Sequence, residues 1–523
     1  MSTDWTVGFR LIAAARWKSP ETVCPGRSPV YGVVDQLPPH LVAAGRAVPT
    51  PRRAGAKAGR TSRARIHQGD HVTELQVSGI RPATTARADV PHFRFVVMSA
   101  LWVTGIFLYL DRVNISMAAP HIMEELGFSG VQMGFILSIY YWGYLFGQLA
   151  GGFAADRLNI RRWCTVLYLG WCVITVATGF CRTLLQFAVV RTIFGAAEGA
   201  VINPITKLQN HWVFPRERGM VNGIQVCAGY LGLVLGVPLV GWLITIVGWR
   251  QMFVLTGLLT LLGVLLFWLL VYDHPRDHPR ISTREKDLLE EALATDRVTY
   301  DPSRGHEQGV AFTEGLRILV QNWAYWCICG AFVFVAGIYF TNFSWLPGYL
   351  VMERGFSDIQ SGAALVLPYL SAGIGALTAG YVGDRLGNRS AIIIVAAACT
   401  IPAIAGLLLV DDQPMVIATL CVMLFLNAAA VSLFVVLLFD LLPAEVIGVA
   451  LATLVGIFGG LGGIAGPLIM GYAYDQTGSF LMGFVSMAAG MLIAAGLMIA
   501  VFAYERRIKM EKRRRKSLIG EHA

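Results

Sequence analysis

The sequence predicts an all-α multi-pass membrane protein with twelve transmembrane helices in two pseudo-symmetric six-helix bundles. Hydrophobic residues make up 55% of its 523 residues and charged residues only 14%, a balance that excludes an ordinary soluble enzyme. Between about residues 95 and 504, roughly twelve apolar stretches approach the ~20 residues that an α-helix needs to cross a bilayer. A charged phrase that occurs twice further indicates that the second half of the chain repeats the first.

The apolar stretches give approximate limits for the predicted spans. In chain order these are 96–118, 130–152, 162–180, 184–208, 219–243, 250–272, 322–350, 357–382, 391–410, 415–440, 447–472 and 480–503. The resulting organisation is an N-terminal extension, a first six-helix bundle, a cytoplasmic linker, a second six-helix bundle and a basic cytoplasmic tail. Their limits are 1–94, 95–272, 273–321, 322–504 and 505–523.

The two segments outside the spans differ in character. Residues 1–94 are rich in Pro, Ala, Arg and Gly without a sustained apolar run, which predicts disorder; a start codon assigned too far upstream explains them equally well. In the linker, Ser282 and Glu285 have the spacing of a capping box, which predicts a short helix through Leu293. Prolines separate His274 from His278, so these two histidines do not form a helical metal-binding face.

The repeated phrase follows the second predicted span of each half. An acid and several arginines between two helix ends can pair differently in two conformations, so we interpret the phrase as a gating loop. A loop that merely carries the positive charge of the cytoplasmic side is the simpler alternative, although it does not explain the repeat. The predicted gating residues are Gly152, Asp156, Arg157, Arg161, Arg162, Asp384, Arg385 and Arg389.

The short loops also predict the orientation of the chain. Arg and Lys concentrate after the second, fourth, eighth and twelfth spans, whereas the opposite loops hold few of them. By the positive-inside rule both termini are cytoplasmic, in a plasma membrane or bacterial inner membrane. Much of the net charge of +9 is therefore a topology signal. The basic tail from Arg506 to Lys516 is expected to contact anionic lipid headgroups rather than nucleic acid.

Four ionisable residues lie inside predicted spans: Asp111, Arg112, Arg191 and Glu198. Each costs roughly 2.5–3.5 kcal/mol at mid-bilayer unless it is paired or hydrated. Neighbours on a helix diverge by about 100°, so one of Asp111 and Arg112 should face a central cavity and the other an adjacent helix. Arg191 and Glu198, seven residues apart, return to nearly the same face. A buried structural ion pair or an interface anchor is the alternative for each residue taken singly.

Catalytic and metal-binding patterns are missing from the sequence. The nine cysteines are scattered without zinc or haem spacing. There is no Gly-rich phosphate loop and no nucleophile elbow, so neither ATP-driven transport nor hydrolysis is indicated. We expect no enzyme activity, no metal and no cofactor.

The gating phrase resembles the loop motif of the major facilitator superfamily. Within that superfamily, the stretches Tyr109 to Ser116, Arg191 to Gly199, Trp212 to Gly219, Trp345 to Leu350 and Gly459 to Gly463 resemble the anion:cation symporter family. That family includes bacterial galactonate, glucarate and hexuronate carriers and sialin-like proteins. The resemblance implies proton-driven import of a carboxylate, including sugar acids. It makes Asp111 and Glu198 protonation sites and places Arg112 and Arg191 near the substrate carboxylate.

Three positions depart from the sugar-acid pattern. Where those carriers often have Gln, Trp and Asn, this chain has Gly229, Val435 and Gly456. Asn342, Asn427 and Ser432 are predicted replacements in substrate binding, and Tyr109 of the first span adds a hydroxyl donor. Asn427 could equally form an interhelical hydrogen bond. The chain is expected to act as a monomer on a small organic anion and protons. An exchanger or uniporter, or a transporter-like sensor that no longer transports, are the alternatives.

Overall fold

The structure is a computed structural model that describes residues 92–299 and 312–520. The predicted disorder of residues 1–94 therefore falls almost wholly outside the described residues and stays a prediction. All regular structure within the described ranges is helical, as the sequence predicts.

The described first half of the chain forms five α-helices. They are α1 Phe93–Leu126, α2 Gly130–Arg157, α3 Ile160–Thr178, α4 Leu184–Trp212 and α5 Arg218–Leu270. Helix α5 is 53 residues long and contains two predicted spans, because Gly248 interrupts it with a φ of 80°. Glycine adopts this left-handed backbone without the penalty that a side chain brings, so the chain reverses there between the fifth and sixth spans.

The linker and the second half follow in the same way. Their helices are α6 Thr283–Thr299, α7 Phe312–Val320, α8 Trp323–Met352, α9 Asp358–Ala364, α10 Val366–Leu386, α11 Arg389–Leu409, α12 Gln413–Leu441, α13 Ala444–Leu451, α14 Gly459–Thr477 and α15 Leu481–Gly520. A π-helical segment, Ala452–Phe458, joins α13 to α14. The predicted eighth and eleventh spans are thus each built from more than one helical piece.

Ten helical segments of the described chain are long and apolar enough to cross a membrane. One of them, Pro215–Leu270, holds two predicted spans. Helix α2 lies outside these ten, since its many Gly and Tyr residues lower its hydropathy. With the long segment counted as two, eleven of the twelve predicted spans correspond to helices of this length and apolar character. Helix α2 corresponds to the second predicted span by its position alone.

Glycines bring α2 and α4 into close contact. A Cβ at Gly147 would overlap the carbonyl oxygen of Ala196, and one at Gly195 would overlap that of Tyr140. Small residues of this kind let the backbones of membrane helices approach closely. The corresponding helices of the second half, α10 and α12, approach each other in the same way, because a Cβ at Gly375 would overlap the carbonyl oxygen of Phe425. This repetition supports the interpretation of the chain as a structural duplication.

The linker helix begins as the sequence predicts but uses its acid differently. Ser282 Oγ accepts a hydrogen bond of 3.2 Å from the backbone N–H of Glu285. The Glu285 carboxylate does not complete the capping box. It accepts instead from the backbone N–H groups of Phe93 and Arg94, at 3.1 and 3.2 Å. Glu285 therefore caps the N-terminus of α1 and ties the linker to the first bundle.

One end of the molecule is sealed by contacts between the two bundles. His121 on α1 lies 2.9 Å from a carboxylate oxygen of Asp358 at the start of α9. Asp475 on α14 accepts hydrogen bonds from the first backbone N–H groups of α2, those of Gly130 and Val131. We call this end, formed around these five residues and Gly134, the sealed end. A Cβ at Gly134 would lie 2.7 Å from the carbonyl oxygen of Pro467, so the helices there are in close contact.

The opposite end carries the two gating phrases. The ion pairs of each phrase lie within its own bundle. Asp156 pairs with Lys207 at 2.9 Å. In the second half, Arg389 pairs with Asp384 at 2.8 Å and also with Asp440. These acids and bases hold their own bundles together in this conformation, and the predicted switch of partners between two conformations stays a prediction.

Candidate anion-binding site

Helix geometry sends Asp111 and Arg112 in different directions, as the sequence predicts. Asp111 is buried inside the first bundle and accepts a hydrogen bond from Thr260 Oγ1 on α5 at 2.9 Å. Arg112 reaches toward α2 and α4, where its guanidinium donates to the Tyr140 hydroxyl at 2.9 Å. Asp111 thus faces an adjacent helix.

Arg112 and Glu198 form a buried ion pair. The guanidinium donates to Glu198 Oε1, and the Glu198 side chain is fully buried while that of Arg112 is 16% exposed. The second carboxylate oxygen of Glu198 and the Arg112 Nε have no hydrogen-bond partner in the described structure. A buried pair with unused polar atoms is poorly compensated, so both groups can accept a further partner.

Tyrosine rings surround the Arg112 guanidinium. Its central carbon lies 5.0 Å from the ring centre of Tyr109, 5.6 Å from that of Tyr140 and 5.8 Å from that of Tyr144. Such rings stabilise a cation through their electron-rich faces and exclude water from it. The sequence analysis singled out only Tyr109. The signal for the others is a run of tyrosines, at 140, 141 and 144, inside one predicted span.

Arg191 also lies beside the Tyr140 ring. Its guanidinium carbon is 5.0 Å from the Tyr140 ring centre, and its Nε has no hydrogen-bond partner in the described structure. Arg191 and Glu198 occupy one face of α4, as their seven-residue spacing requires. The two arginines and one acid of this cluster leave an excess of positive charge when Glu198 is ionised. Planar guanidinium groups suit a carboxylate or another oxyanion.

Tyr109 also contacts one of the positions that depart from the sugar-acid pattern. A Cβ at Gly229 would lie 2.8 Å from Cε2 of the Tyr109 ring. The ring therefore occupies the space into which a longer side chain at this position would extend. At the second departure, Gly456, a Cβ would lie 3.6 Å from the Gln148 side-chain oxygen. Gly456 thus faces the first bundle across the interface.

The two asparagines of the second half differ in their hydrogen bonding. Asn427 Nδ2 donates to the carbonyl oxygen of Val335 at 3.2 Å, which is the interhelical bond that the sequence left open as its alternative. Asn342 is buried, and neither polar atom of its side chain has a hydrogen-bond partner in the described structure. Phe340, two residues earlier on α8, contacts Tyr141 of the first bundle, with 4.6 Å between the ring centres.

The remaining gating residues lie at the end opposite the sealed end. Arg161 stacks on Trp268 and Tyr272, at 4.3 and 3.9 Å from the ring centres. Asp273, which the sequence analysis did not select, accepts from the backbone N–H of Arg161 at 2.7 Å. Three others line this end with few polar contacts: Gly152, Arg157 beside Phe153, and Arg385 beside Tyr381. Arg162 borders an apolar groove between α3 and α5. In the described ranges no group of three or more His, Cys, Asp or Glu could hold a metal.

Comparison with known proteins agrees with this architecture. The family model described as Major Facilitator Superfamily matches residues 101–467 and 353–521. Over 420 residues the chain is 29% identical to a probable sulfoacetate transporter of Cupriavidus necator, covering 78% of this chain and 93% of that protein. It is 28% identical over 414 residues to a D-galactonate transporter of Escherichia coli, covering 77% and 94%. A solved bacterial homologue of the human lysosomal transporter Spinster superposes with a TM-score of 0.60 at 17% identity, covering 79% and 96%.

Proposed function

The chain belongs to the major facilitator superfamily, and from that premise we propose that it carries a small organic anion through the membrane together with protons. Membership makes it a multi-pass membrane transporter. The single observation that carries the finer proposal is the buried Arg112–Glu198 ion pair beside Arg191. It brings a cation, an acid and a second cation together within the first bundle.

Binding of the anion follows from competition for Arg112. While Glu198 is ionised, its carboxylate occupies the guanidinium, and an incoming anion has to displace it. Protonation of Glu198 removes that charge and leaves Arg112 for the substrate, which can then engage both arginines around the Tyr140 ring. Tyr109 adds a hydroxyl group beside Arg112. Asn342 and Asn427 are the contacts proposed from the second bundle.

Coupling follows from the charge balance of the cluster. An arginine left without a counter-ion inside a membrane protein is costly, so the empty protein favours an ionised Glu198 and the loaded protein a protonated one. Substrate and proton are then bound together and released together. In this scheme Asp111 is a second protonation site on the same helix as Arg112.

Movement of the bundles supplies the change of access. The sealed end is closed by His121 with Asp358 and by Asp475 with the start of α2. The gating pairs at the other end stay within single bundles, so that end is free to open. If the arginine-rich loops face the cytoplasm, this conformation faces inward. The proposed location is the bacterial inner membrane, with both termini in the cytoplasm and the monomer as the working unit.

The substrate is proposed as a carboxylate or sulfonate. Transporters of sulfoacetate and D-galactonate are among the similar proteins, and an oxyanion of either class fits two guanidinium groups. At positions 229 and 456 this chain has glycine, where sugar-acid carriers of this kind often have Gln and Asn. The site therefore offers few groups for a polyol chain, which favours a compact anion.

Reconstitution of the full-length protein into liposomes tests this proposal. Sulfoacetate, D-galactonate, glucarate and a hexuronate would each be offered outside, with the lumen alkaline. We expect at least one to accumulate against its gradient and to leave when a protonophore collapses the pH gradient. Accumulation that ignores the pH gradient but requires a second anion inside would make the chain an exchanger. Binding of these anions without any transport would favour a sensor.

A further inference from the structure

An apolar groove on the outer surface of the first bundle ends at a cation. Helix α3 and the C-terminal part of α5 form its two walls, and it encloses about 730 Å³. Most of its lining side chains are apolar, among them Val166, Leu169, Leu258, Leu261, Leu262 and Leu265. Arg162 and Trp268 line the end of the groove that is nearest to the gating phrases. One end of the groove is therefore charged and the rest is apolar.

The guanidinium group of Arg162 is available to a ligand. Arg162 is exposed, and within the described residues its side chain forms no ion pair and no hydrogen bond. Its neighbour Arg161 is engaged, because it packs on the Trp268 ring and donates to the carbonyl oxygen of that residue. Thr165, which also lines the groove, donates its hydroxyl hydrogen to the carbonyl oxygen of Arg161 at 2.7 Å. Among these groups, Arg162 alone has all its side-chain donors unused.

The repeat does not require a cation at this position. Aligning Asp156 on Asp384 in the two gating phrases places Ser390 opposite Arg162. Ser390 is buried and donates to the carboxylate of Glu505. A role shared by both gating loops therefore does not explain Arg162.

The length of the groove corresponds to one leaflet of a bilayer. Arg162 and Leu169 are about 10 Å apart along α3, and Trp268 and Leu258 are about 15 Å apart along α5, so the groove extends this far from its charged end. The hydrocarbon core of a bilayer is ~30 Å thick, and tryptophan is enriched at its interfaces. The groove thus reaches from the interface to about the middle of the membrane. A second transmembrane helix would continue through both leaflets, whereas a phospholipid occupies one.

We propose that this groove binds one anionic phospholipid of the leaflet next to the gating phrases, which is the cytoplasmic leaflet in the proposed orientation. Arg162 binds the phosphate oxygens, and an acyl chain lies between Val166 and Leu262. A zwitterionic lipid carries an ammonium group beside its phosphate and pairs less well with a single arginine. Basic pockets between transmembrane helices on this side of a membrane bind such headgroups. The site requires that the chain lies in a bilayer and is independent of the proposed proton coupling.

Native mass spectrometry of the purified full-length protein tests the site by the lipids that it retains. The probe is phosphatidylglycerol, with phosphatidylcholine of the same acyl chains for comparison. We expect the wild type to prefer phosphatidylglycerol and Arg162→Gln to lower its affinity about fivefold, the effect of one arginine at a membrane surface. Arg216→Gln is the matched control, because Arg216 is exposed at the same end of the molecule and does not line the groove. An unchanged affinity in the Arg162 variant, or an equal loss in both, would overturn the proposal.

Filling the groove tests the part that holds the acyl chain. Val166 and Val173 are both 67% exposed on α3, and of the two only Val166 lines the groove. Val166→Trp should therefore lower the retention of phosphatidylglycerol, and Val173→Trp should keep it, with gel filtration showing that both variants are folded. Equal retention in the two variants would contradict the proposal.

Two further outcomes would assign the groove to another occupant. Excess glycerophosphoglycerol, the soluble headgroup of the probe, should leave the lipid bound, and displacement by it would reduce the site to an anion site at Arg162. A dimer of the wild type that Val166→Trp dissociates, without any loss of lipid, would assign the groove to a second copy of the chain. Either result would overturn the lipid assignment and leave the transport scheme standing.

Discussion

Substituting Glu198 by Gln tests the competition for Arg112 most directly. The carboxylate is fully buried and holds the guanidinium that the substrate needs. Glutamine keeps the size and one acceptor oxygen but cannot be ionised. We therefore expect it to abolish accumulation driven by a pH gradient, while exchange of labelled for unlabelled substrate at equal pH survives.

The effect on affinity follows from the bond that the substrate has to displace. A hydrogen bond to a charged group contributes about 1.5–3 kcal/mol and a neutral one about 0.5–1.5 kcal/mol. Replacing the carboxylate by an amide thus lowers the cost of freeing Arg112 by about 1–1.5 kcal/mol. At a pH where wild-type Glu198 is ionised, the variant should bind the anion about tenfold more tightly. Its affinity should also depend less on pH.

The assay pairs binding of the identified anion with uptake into liposomes, across a series of pH values. Glu125→Gln is the matched control, because Glu125 also pairs with an arginine, Arg250 at 2.8 Å, but lies at the sealed end and is 49% exposed. The control should accumulate substrate as the wild type does. Full accumulation in the Glu198 variant would refute the role of this acid in coupling.

Four further outcomes are expected. Arg112→Lys should weaken anion binding 10- to 100-fold, roughly 1.4–3 kcal/mol, since lysine lacks the two-pronged donor. Unchanged affinity in this variant, with a large loss in Arg191→Lys, would move the carboxylate site to Arg191 on α4. Asp475→Asn should weaken the sealed end by about 1 kcal/mol and lower the ratio of sealed to open molecules roughly fivefold, measured as a distance distribution between spin labels on the two bundles. Burial lowers the pKa of His278, so docking of the linker should be fully stable above the ordinary histidine pKa of about 6.5 and weaken as pH falls through the lowered value; limited proteolysis of the linker would show this, and a pH-independent cleavage rate would contradict it. Deleting residues 2–90 should leave insertion and transport unchanged, and a truncated protein that inserts without transporting would show a role for the extension.

The ionisable residues of the site were accessible from the sequence because the bilayer penalises them. Asp111, Arg112, Arg191 and Glu198 stand out in apolar spans, and helix geometry alone predicts that Asp111 and Arg112 diverge. The structure shows this divergence. Which of the two points toward α2 and α4 depended on the rotation of α1 about its own axis, which spacing along one helix does not define.

The partners were decided by tertiary packing. Glu198 on α4 meets Arg112 on α1. Glycines at 147 and 195 bring α2 close to α4, and α2 supplies two of the three tyrosines around the guanidinium, Tyr140 and Tyr144. Similarly, a capping box predicted the start of α6, yet the Glu285 carboxylate caps α1 instead. A carboxylate bonds whichever unpaired backbone N–H groups lie nearest in space.

The sequence by itself determined the class of this protein: a helical, duplicated, multi-pass transporter with ionisable residues in its first half. These properties depend on the amino-acid composition, on the lengths of the apolar stretches and on the repeated charged phrase. Each of them is recognised in a short stretch of sequence or summed along the chain. The tertiary structure alone decided that one end is sealed by His121, Asp358 and Asp475 while the gating pairs stay within their bundles. The reason is physical: the same sequence has to be stable in more than one arrangement of its bundles, and only the contacts between them distinguish one arrangement from another.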